Sequence, residues 1–163
     1  MQIAVIADTH MPRGARVLPD ACLERLQKAD LILHAGDLTG EAFLDELSSL
    51  GPPLAAVLGN MDEAAVRERL PEERVVDAAG ARIGMVHIPG PSAGRAERLA
   101  ARFPGCHVIV YGHTHVAEMV RLRGTWILNP GSPTERRRSP ARSMLWLTVT
   151  ADGIAPELLT FGP

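Results

Sequence analysis

Seven side chains able to hold a cation stand just past apolar runs of the chain. Asp8 and His10 follow Gln2 to Ala7, Asp37 follows Leu31 to His34, and Asn60 follows Leu54 to Leu58. His87 lies at the end of Ala81 to Ile88, and His113 and His115 follow His107 to Tyr111. A single Asp or His at a strand end is ordinarily a cap or a surface group. Four of the six histidines and a string of Asp and Asn at such ends form a pattern that chance capping would seldom produce. Nitrogen and oxygen donors without a thiolate select Mn, Fe, Ni, Co or Zn, with Mn expected first, over a structural Cys-zinc knot. Seven donors exceed the needs of one tetrahedral ion. Two divalent ions sharing a carboxylate, about 3.5–4 Å apart as in other two-metal hydrolytic sites, would use them all.

The elements that must bring these residues together are legible in the spacing. Gln2 to Ala7 reads as a β-branched strand buried on both faces, and Asp20 to Ala29 as a helix with Asp20 as its N-cap. Leu31 to His34 is a second strand, Glu41 to Leu50 a helix with Phe43, Leu44 and Leu47 inward, and Leu54 to Leu58 a third strand. Such alternation favours a parallel sheet, whose strands end along one edge where ligands bind. A helix is predicted over Met61 to Leu70, then a hairpin of Arg74 to Ala78 and Ala81 to Ile88 turning at Ala79-Gly80. A helix within Ser92 to Phe103 precedes the strand His107 to Tyr111. Strands over Val116 to Leu122, Thr125 to Leu128, Met144 to Thr150 and Ile154 to Phe161 complete the chain. Two mixed sheets faced by helices account for this order.

Composition narrows the function classes. With 163 residues, 46% hydrophobic and 22% charged, the chain has the size and balance of one ordinary globular domain over residues 1–163. Six aromatic residues give little material for stacking on bases, and a formal charge of −2 argues against broad capture of nucleic acid. Cys22 and Cys106 form no CxxC and no disulfide framework, and read as buried small apolar residues. The opening residues lack a basic segment and a cleavage site, and no apolar run reaches membrane-spanning length, so a cytoplasmic location away from membranes is expected. The oligomeric state stays open, a homo-oligomer included.

The ordered set Asp8-Thr9-His10, Gly36-Asp37, Gly59-Asn60-Met61-Asp62, His87 and Gly112-His113-Thr114-His115 resembles the calcineurin-like metallophosphoesterases. Their small single-domain microbial phosphodiesterases are the nearest likeness. The resemblance runs from Met1 to about Ser132 and includes Asn129-Pro130-Gly131-Ser132. It implies a four-layer α/β/β/α sandwich and a two-metal phosphodiesterase acting on small phosphate esters. It also implies a ligand allocation: Asp8, His10 and His115 on one metal, Asn60, His87 and His113 on the other, Asp37 bridging. Asp37, His10, Asn60 and Asp62 are then the expected catalytic residues. Two divalent ions outweigh Asp8, Asp37 and a bridging hydroxide by about one positive charge, which suits a phosphate ester. The same charge lowers the pKa of a bridging water from about 15.7 to about 7, making it the nucleophile.

The chain departs from its relatives at Met61, where many carry His between Asn and Asp. A thioether cannot donate a proton to the leaving oxygen, so esters with acidic leaving groups, aryl or nucleotidyl, are the expected substrates. Ile88 follows His87 where Gly is common. Asp62 either supports a neighbouring ligand or complements a helix N-terminus. Arg13, in the loop after His10, is a candidate substrate phosphate contact or a solvated side chain. His34 reads as a hydrogen-bonded core residue, His107 as exposed, and Glu135-Arg136-Arg137-Arg138 with Arg142 as a solvated loop or a polyanion contact. The alternative function is a non-catalytic scaffold, as in the retromer subunit of similar fold. Such a scaffold has no need of all seven metal-binding side chains.

Overall fold

The computed structural model describes residues 1–162. In chain order these form β1 (Gln2–Ile6), α1 (Asp20–Lys28), β2 (Leu31–His34), α2 (Glu41–Ser48), β3 (Leu54–Ala56), α3 (Ala64–Arg67) and β4 (Glu73–Ala78). They continue as β5 (Ala81–Val86), α4 (Arg95–Arg102), β6 (Val108–Val110), β7 (Glu118–Leu122), β8 (Thr125–Asn129), β9 (Ser143–Thr150) and β10 (Gly153–Thr160). The strands build two five-stranded sheets, ordered β10-β9-β1-β2-β3 and β4-β5-β6-β8-β7.

Alternation along each strand divides the apolar side chains between three packing layers. Ile3 and Val5 of β1, Leu31 and Leu33 of β2, Ile83 and Met85 of β5 and Val108 and Val110 of β6 meet between the sheets. From the opposite face of the first sheet, Ala4, Ile6 and Ile32 pack on Leu26 of α1 and Phe43, Leu44 and Leu47 of α2. Behind the second sheet, Ile109, Tyr111 and Ile127 pack on Leu99 and Phe103 at α4. The result is the expected α/β/β/α sandwich.

Direction matters more for function than layering. In the first sheet β1, β2 and β3 run parallel, and in the second β5, β6 and β8 do. Six strands therefore deliver their carboxyl ends in two parallel sets. Pro156, which lacks a ladder donor, is accommodated because β10 is an edge strand paired only with β9.

Three details correct the sequence reading. Asp20 is the first helical residue, preceded by Pro19 at the N-cap, and its side chain makes no capping bond. The helix expected over Met61 to Leu70 shrinks to Ala64–Arg67, because Met61 and Asp62 are engaged by contacts to the loop after β2. His107 lies just before β6 and is exposed as expected, yet its Nδ1 accepts a hydrogen bond from the Arg82 amide at 2.9 Å. Leu33, fully buried between the sheets, should tolerate truncation poorly: Leu33→Ala is expected to cost about 2 to 5 kcal/mol in urea unfolding. Val75→Ala, on the exposed face of edge strand β4, should stay within about 0.5 kcal/mol.

Candidate metal centre

All seven sequence-selected donors meet where the two sheets' strand ends adjoin. His10 Nε2 lies 3.2 Å from His115 Nε2 and 3.6 Å from Asp37 Oδ2, and His115 Nε2 lies 3.4 Å from Asp8 Oδ1. On the other side His87 Nε2 lies 3.3 Å from Asp37 Oδ2 and 3.1 Å from Asn60 Oδ1, which is 2.9 Å from His113 Nδ1. Two trios therefore offer atoms mutually close enough to share an ion: Asp8, His10 and His115, and Asp8, Asp37 and His87. Asp37 touches both sides, and Asp8 belongs to both trios.

These distances fit a metal better than a purely protein network. His87 Nδ1 donates to the Ala35 carbonyl at 2.7 Å, which leaves Nε2 pointing its lone pair at two oxygens unless a cation sits there. His10 and His115 likewise aim nitrogens at each other, with a carboxylate beside each. Lone pairs converging in a buried site are mutually repulsive, and a proton or a divalent ion resolves the conflict. Oxygen and imidazole donors without thiolate suit a first-row divalent ion.

The backbone is bent to achieve this. Asp8, His10, Asp37, His113 and His115 all have left-handed φ, between 48° and 72°. Each such non-glycine residue costs about 1 to 3 kcal/mol, so the surrounding bonds must over-determine the loops. Asp8 and His10 donate backbone N–H to the carbonyls of Gly36 and Asp37, both at 3.0 Å, stitching the loop after β1 to that after β2. The Asp8 carboxylate accepts from the His113 amide at 2.9 and 3.1 Å, which crosses from the first sheet to the second. The segment after β8 braces the rest. Ser132 Oγ donates to the Asp8 carbonyl and Thr134 Oγ1 to the Thr9 carbonyl, both at 2.8 Å, while Ser139 Oγ donates to the His115 carbonyl at 2.7 Å. Asn129 Nδ2 donates to the Gly112 carbonyl at 3.1 Å.

Asp62 works from behind. Its two oxygens accept the Thr39 amide at 2.7 Å and the Gly59 amide at 2.6 Å, so both are committed to backbone and it ties the loop after β2 to the loop after β3. The Met61 amide in turn donates to Asp37 Oδ1 at 2.8 Å. Gly59 is required by this closeness: a Cβ there would fall 2.1 Å from the Asp37 backbone nitrogen. Gly36, with φ of 89°, would place a Cβ 2.7 Å from His87 Nδ1.

The two carboxylates differ in charge behaviour. Burial pushes the Asp8 carboxyl up to about 7, only partly offset by His87 and the His113 amide. Burial acts the same way on Asp37, but hydrogen bonding and charge from His87, with the Met61 amide, hold it at about 2. Burial opposes protonation of His87, yet Asp37 and Asp8 raise its pKa overall. His115 is lowered to about 4 by burial and then by Arg137 and His10.

Other sequence candidates fall outside the cluster. Arg13 is exposed in the loop after His10, and its carbonyl accepts from the Arg16 side chain at 3.1 Å. His34 is fully buried as expected, with Nε2 3.0 Å from Thr9 Oγ1, and burial lowers it to about 3 so that it stays neutral. Cys22 and Cys106 are buried free thiols, also as expected. In the basic run Arg136, Arg137 and Arg138 are all exposed, as a solvated loop would be, Arg137 also pairing with Glu135, while the half-buried Arg142 donates from Nε to the Phe161 carbonyl. The braces Ser132, Thr134 and Ser139 carried no periodic or motif signal of their own beyond the Asn129 to Ser132 segment. No helix among the described residues is long and apolar enough to cross a membrane.

The Asp8 shift has a direction that can be checked. A carboxyl raised from its ordinary value of 3.8 to about 7 favours the fold below pH 3.8 and loses that contribution as pH rises through 7. A cation bound there displaces that proton, so Mn²⁺ should raise the melting temperature more at pH 8 than at pH 5.5, with proton release in calorimetry near pH 6. Equal shifts at both pH values would contradict the assignment of Asp8.

Comparison with known proteins agrees with this geometry. The model of the calcineurin-like phosphoesterase superfamily domain matches residues 1–152. A "Probable metallophosphoesterase" of Methanothermobacter thermautotrophicus is 35% identical, over 99% of this chain and 94% of its own. One of the same description from Methanocaldococcus jannaschii is 37% identical, over 91% and 76%. Among solved structures, a Thermotoga maritima protein superposes with a TM-score of 0.77 at 32% identity, covering 98% of this chain and 99% of its own. Vps29 of Entamoeba histolytica complexed with Zn²⁺ superposes with a TM-score of 0.74 at 26% identity, covering 99% and 100%. With this match over nearly its whole length, the chain belongs to the calcineurin-like phosphoesterase superfamily, and its donor set suits divalent ions.

Proposed function

We propose that the protein is a two-metal phosphodiesterase that hydrolyses small phosphate diesters with acidic leaving groups. The observation that carries this reading is the position of Asp37, whose Oδ2 lies 3.6 Å from His10 Nε2 and 3.3 Å from His87 Nε2, between the two halves of the donor set. In this reading Asp8, His10 and His115 hold one cation, Asn60, His87 and His113 the other, and Asp37 joins them. Manganese is the first expectation, with Fe, Ni, Co and Zn as competitors that availability decides. When bound, the ions supply Lewis acidity toward the phosphoryl oxygens and an acidified water near neutral pH.

The protein's own residues set the rest. His10 and Asn60 would orient the phosphoryl group through the cations they hold, while Asp62 acts through the backbone of the Thr39 and Gly59 loops as a positioning residue. A cavity of about 260 Å³ adjoins Asn60 and His87, walled by Leu58, Val86 and Ile88 with Arg67, Glu72 and Arg102 at its edge. Its apolar wall suits a flat aryl or nucleoside leaving group, and Arg67 and Glu72 beside it offer a donor and an acceptor. Ile88, 48% exposed, lines this cavity with an apolar side chain that a glycine would not supply. Arg67 also holds the Asn60 carbonyl at 2.9 Å, so the same guanidinium shapes both pocket and ligand loop. Arg13 is retained as an outlying contact for the ester's free end.

The competing reading, a non-catalytic scaffold, draws on the likeness to Vps29. Full occupancy of all seven donor positions favours the enzyme. Met61, 40% exposed at the rim, offers the leaving oxygen no proton. With Mn²⁺ present, a nitrophenyl phosphodiester should therefore turn over at least about a hundredfold faster than a dialkyl diester. Met61→His should raise the alkyl rate selectively. Comparable wild-type rates on the two esters would contradict the proposal, and no hydrolysis of either with metal bound would favour the scaffold.

A further inference from the structure

His115 and Glu135 face each other with two buried atoms that nothing else satisfies. His115 Nδ1 lies 3.9 Å from Glu135 Oε2, and among the described residues neither atom has a hydrogen-bond partner although both are shut off from solvent. A buried polar atom left unpaired costs more than a hydrogen bond returns, so an imidazole nitrogen and a carboxylate oxygen left unpaired 3.9 Å apart mark a donor and an acceptor placed to bond. The other imidazole nitrogen, Nε2, is turned toward His10 and Asp8. A cation on Nε2 fixes the proton on Nδ1, and that N–H then has the Glu135 carboxylate in front of it.

The second carboxylate oxygen has its own partners. Oε1 lies 3.3 Å from Arg16 Nη2 and 3.3 Å from Arg137 Nε. The two arginines come from different loops, one after β1 and one after β8, and Arg137 is held with a left-handed φ of 46°. Both stay partly open to solvent, at 31% and 49% of their side-chain surface. Their charge reaches the donors: that of Arg137 acts on His115, His10, His113 and Asp8, and that of Arg16 on His10.

We propose that Glu135 is a positioning residue of the metal centre, with one oxygen orienting His115 and the other holding Arg137 and Arg16 as a cationic clamp for the non-reacting oxygens of a phosphate ester. The guanidinium nitrogens left free match a phosphate's paired oxygens, and holding Arg137 Nε and Arg16 Nη2 against Glu135 removes freedom that would otherwise be lost on binding. The inference rests on the metallophosphoesterase reading and adds to it a residue that joins metal binding to substrate binding.

The test uses the full chain and Zn²⁺ alone as the first probe. In calorimetry, Glu135→Ala should bind Zn²⁺ about tenfold more weakly than wild type, and Glu135→Gln should recover most of the loss, because its amide oxygen still accepts from Nδ1–H. In the Zn²⁺-loaded wild type, the His115 Nδ1 proton should be visible and slowly exchanging by imidazole NMR, and should be lost in Glu135→Ala. Arg137→Ala, which removes a cation whose charge reaches the donors, should bind Zn²⁺ no more weakly than wild type, while inorganic phosphate inhibits it about tenfold more weakly. Wild-type Zn²⁺ affinity in Glu135→Ala, or unchanged phosphate inhibition in Arg137→Ala, overturns the inference while leaving the hydrolase reading intact. A wild-type chain that neither binds Zn²⁺ nor cleaves an ester removes both.

Discussion

The mutual repulsion of oxygen and imidazole lone pairs crowded onto one rim is the constraint on which the rest of the structure turns. Seven donors drawn from the ends of five strands face one another at 2.9 to 3.6 Å, five of them buried and Asn60 and His113 exposed at the rim. Folding alone gains little from such an arrangement, because each polar group forfeits water for neighbours of like character. Positive charge at the centre turns the same arrangement favourable. Burial raises the Asp8 carboxyl and lowers the His10 and His115 imidazoles, while His87 and the Met61 amide hold the Asp37 carboxyl low.

Holding the donors in place is a separate problem, met by the architecture. The parallel sets β1-β2-β3 and β5-β6-β8 bring their carboxyl ends to a shared edge, and the dense core between the sheets fixes the distance between them. The loops beyond those ends adopt left-handed turns at five of the seven donors, a strain that persists only because neighbouring loops bond to one another's backbones. Asp62, Asn129, Ser132 and Ser139 supply much of that bonding from outside the donor set.

Much of this was legible in the sequence, for physical reasons. Buried strands of a parallel sheet are apolar on both faces, so Gln2 to Ala7 and Leu31 to His34 stood out as runs that stop abruptly at Asp8 and before Asp37. Donors that terminate such runs converge by topology alone, which is why all seven could be named before any distance was known. Helix bounds were less legible. The stretch from Met61 has helical composition, but the pull of Asp37 and the Thr39 loop on its first residues delays the helix to Ala64. Glu135 was illegible for a similar reason: inside a charge run it looks solvated, and only the fold reveals that its side chain turns inward to His115. Strand pairing across the two sheets likewise depends on tertiary packing that no local pattern encodes.

The central claim is that this rim holds a pair of cations bridged by Asp37. Anomalous diffraction from crystals grown with Mn²⁺ tests it most directly. The account predicts two peaks, one among Asp8, His10 and His115 and one among Asn60, His87 and His113, with the Asp37 carboxylate between them. A single peak, or none with the donors as placed here, would contradict it.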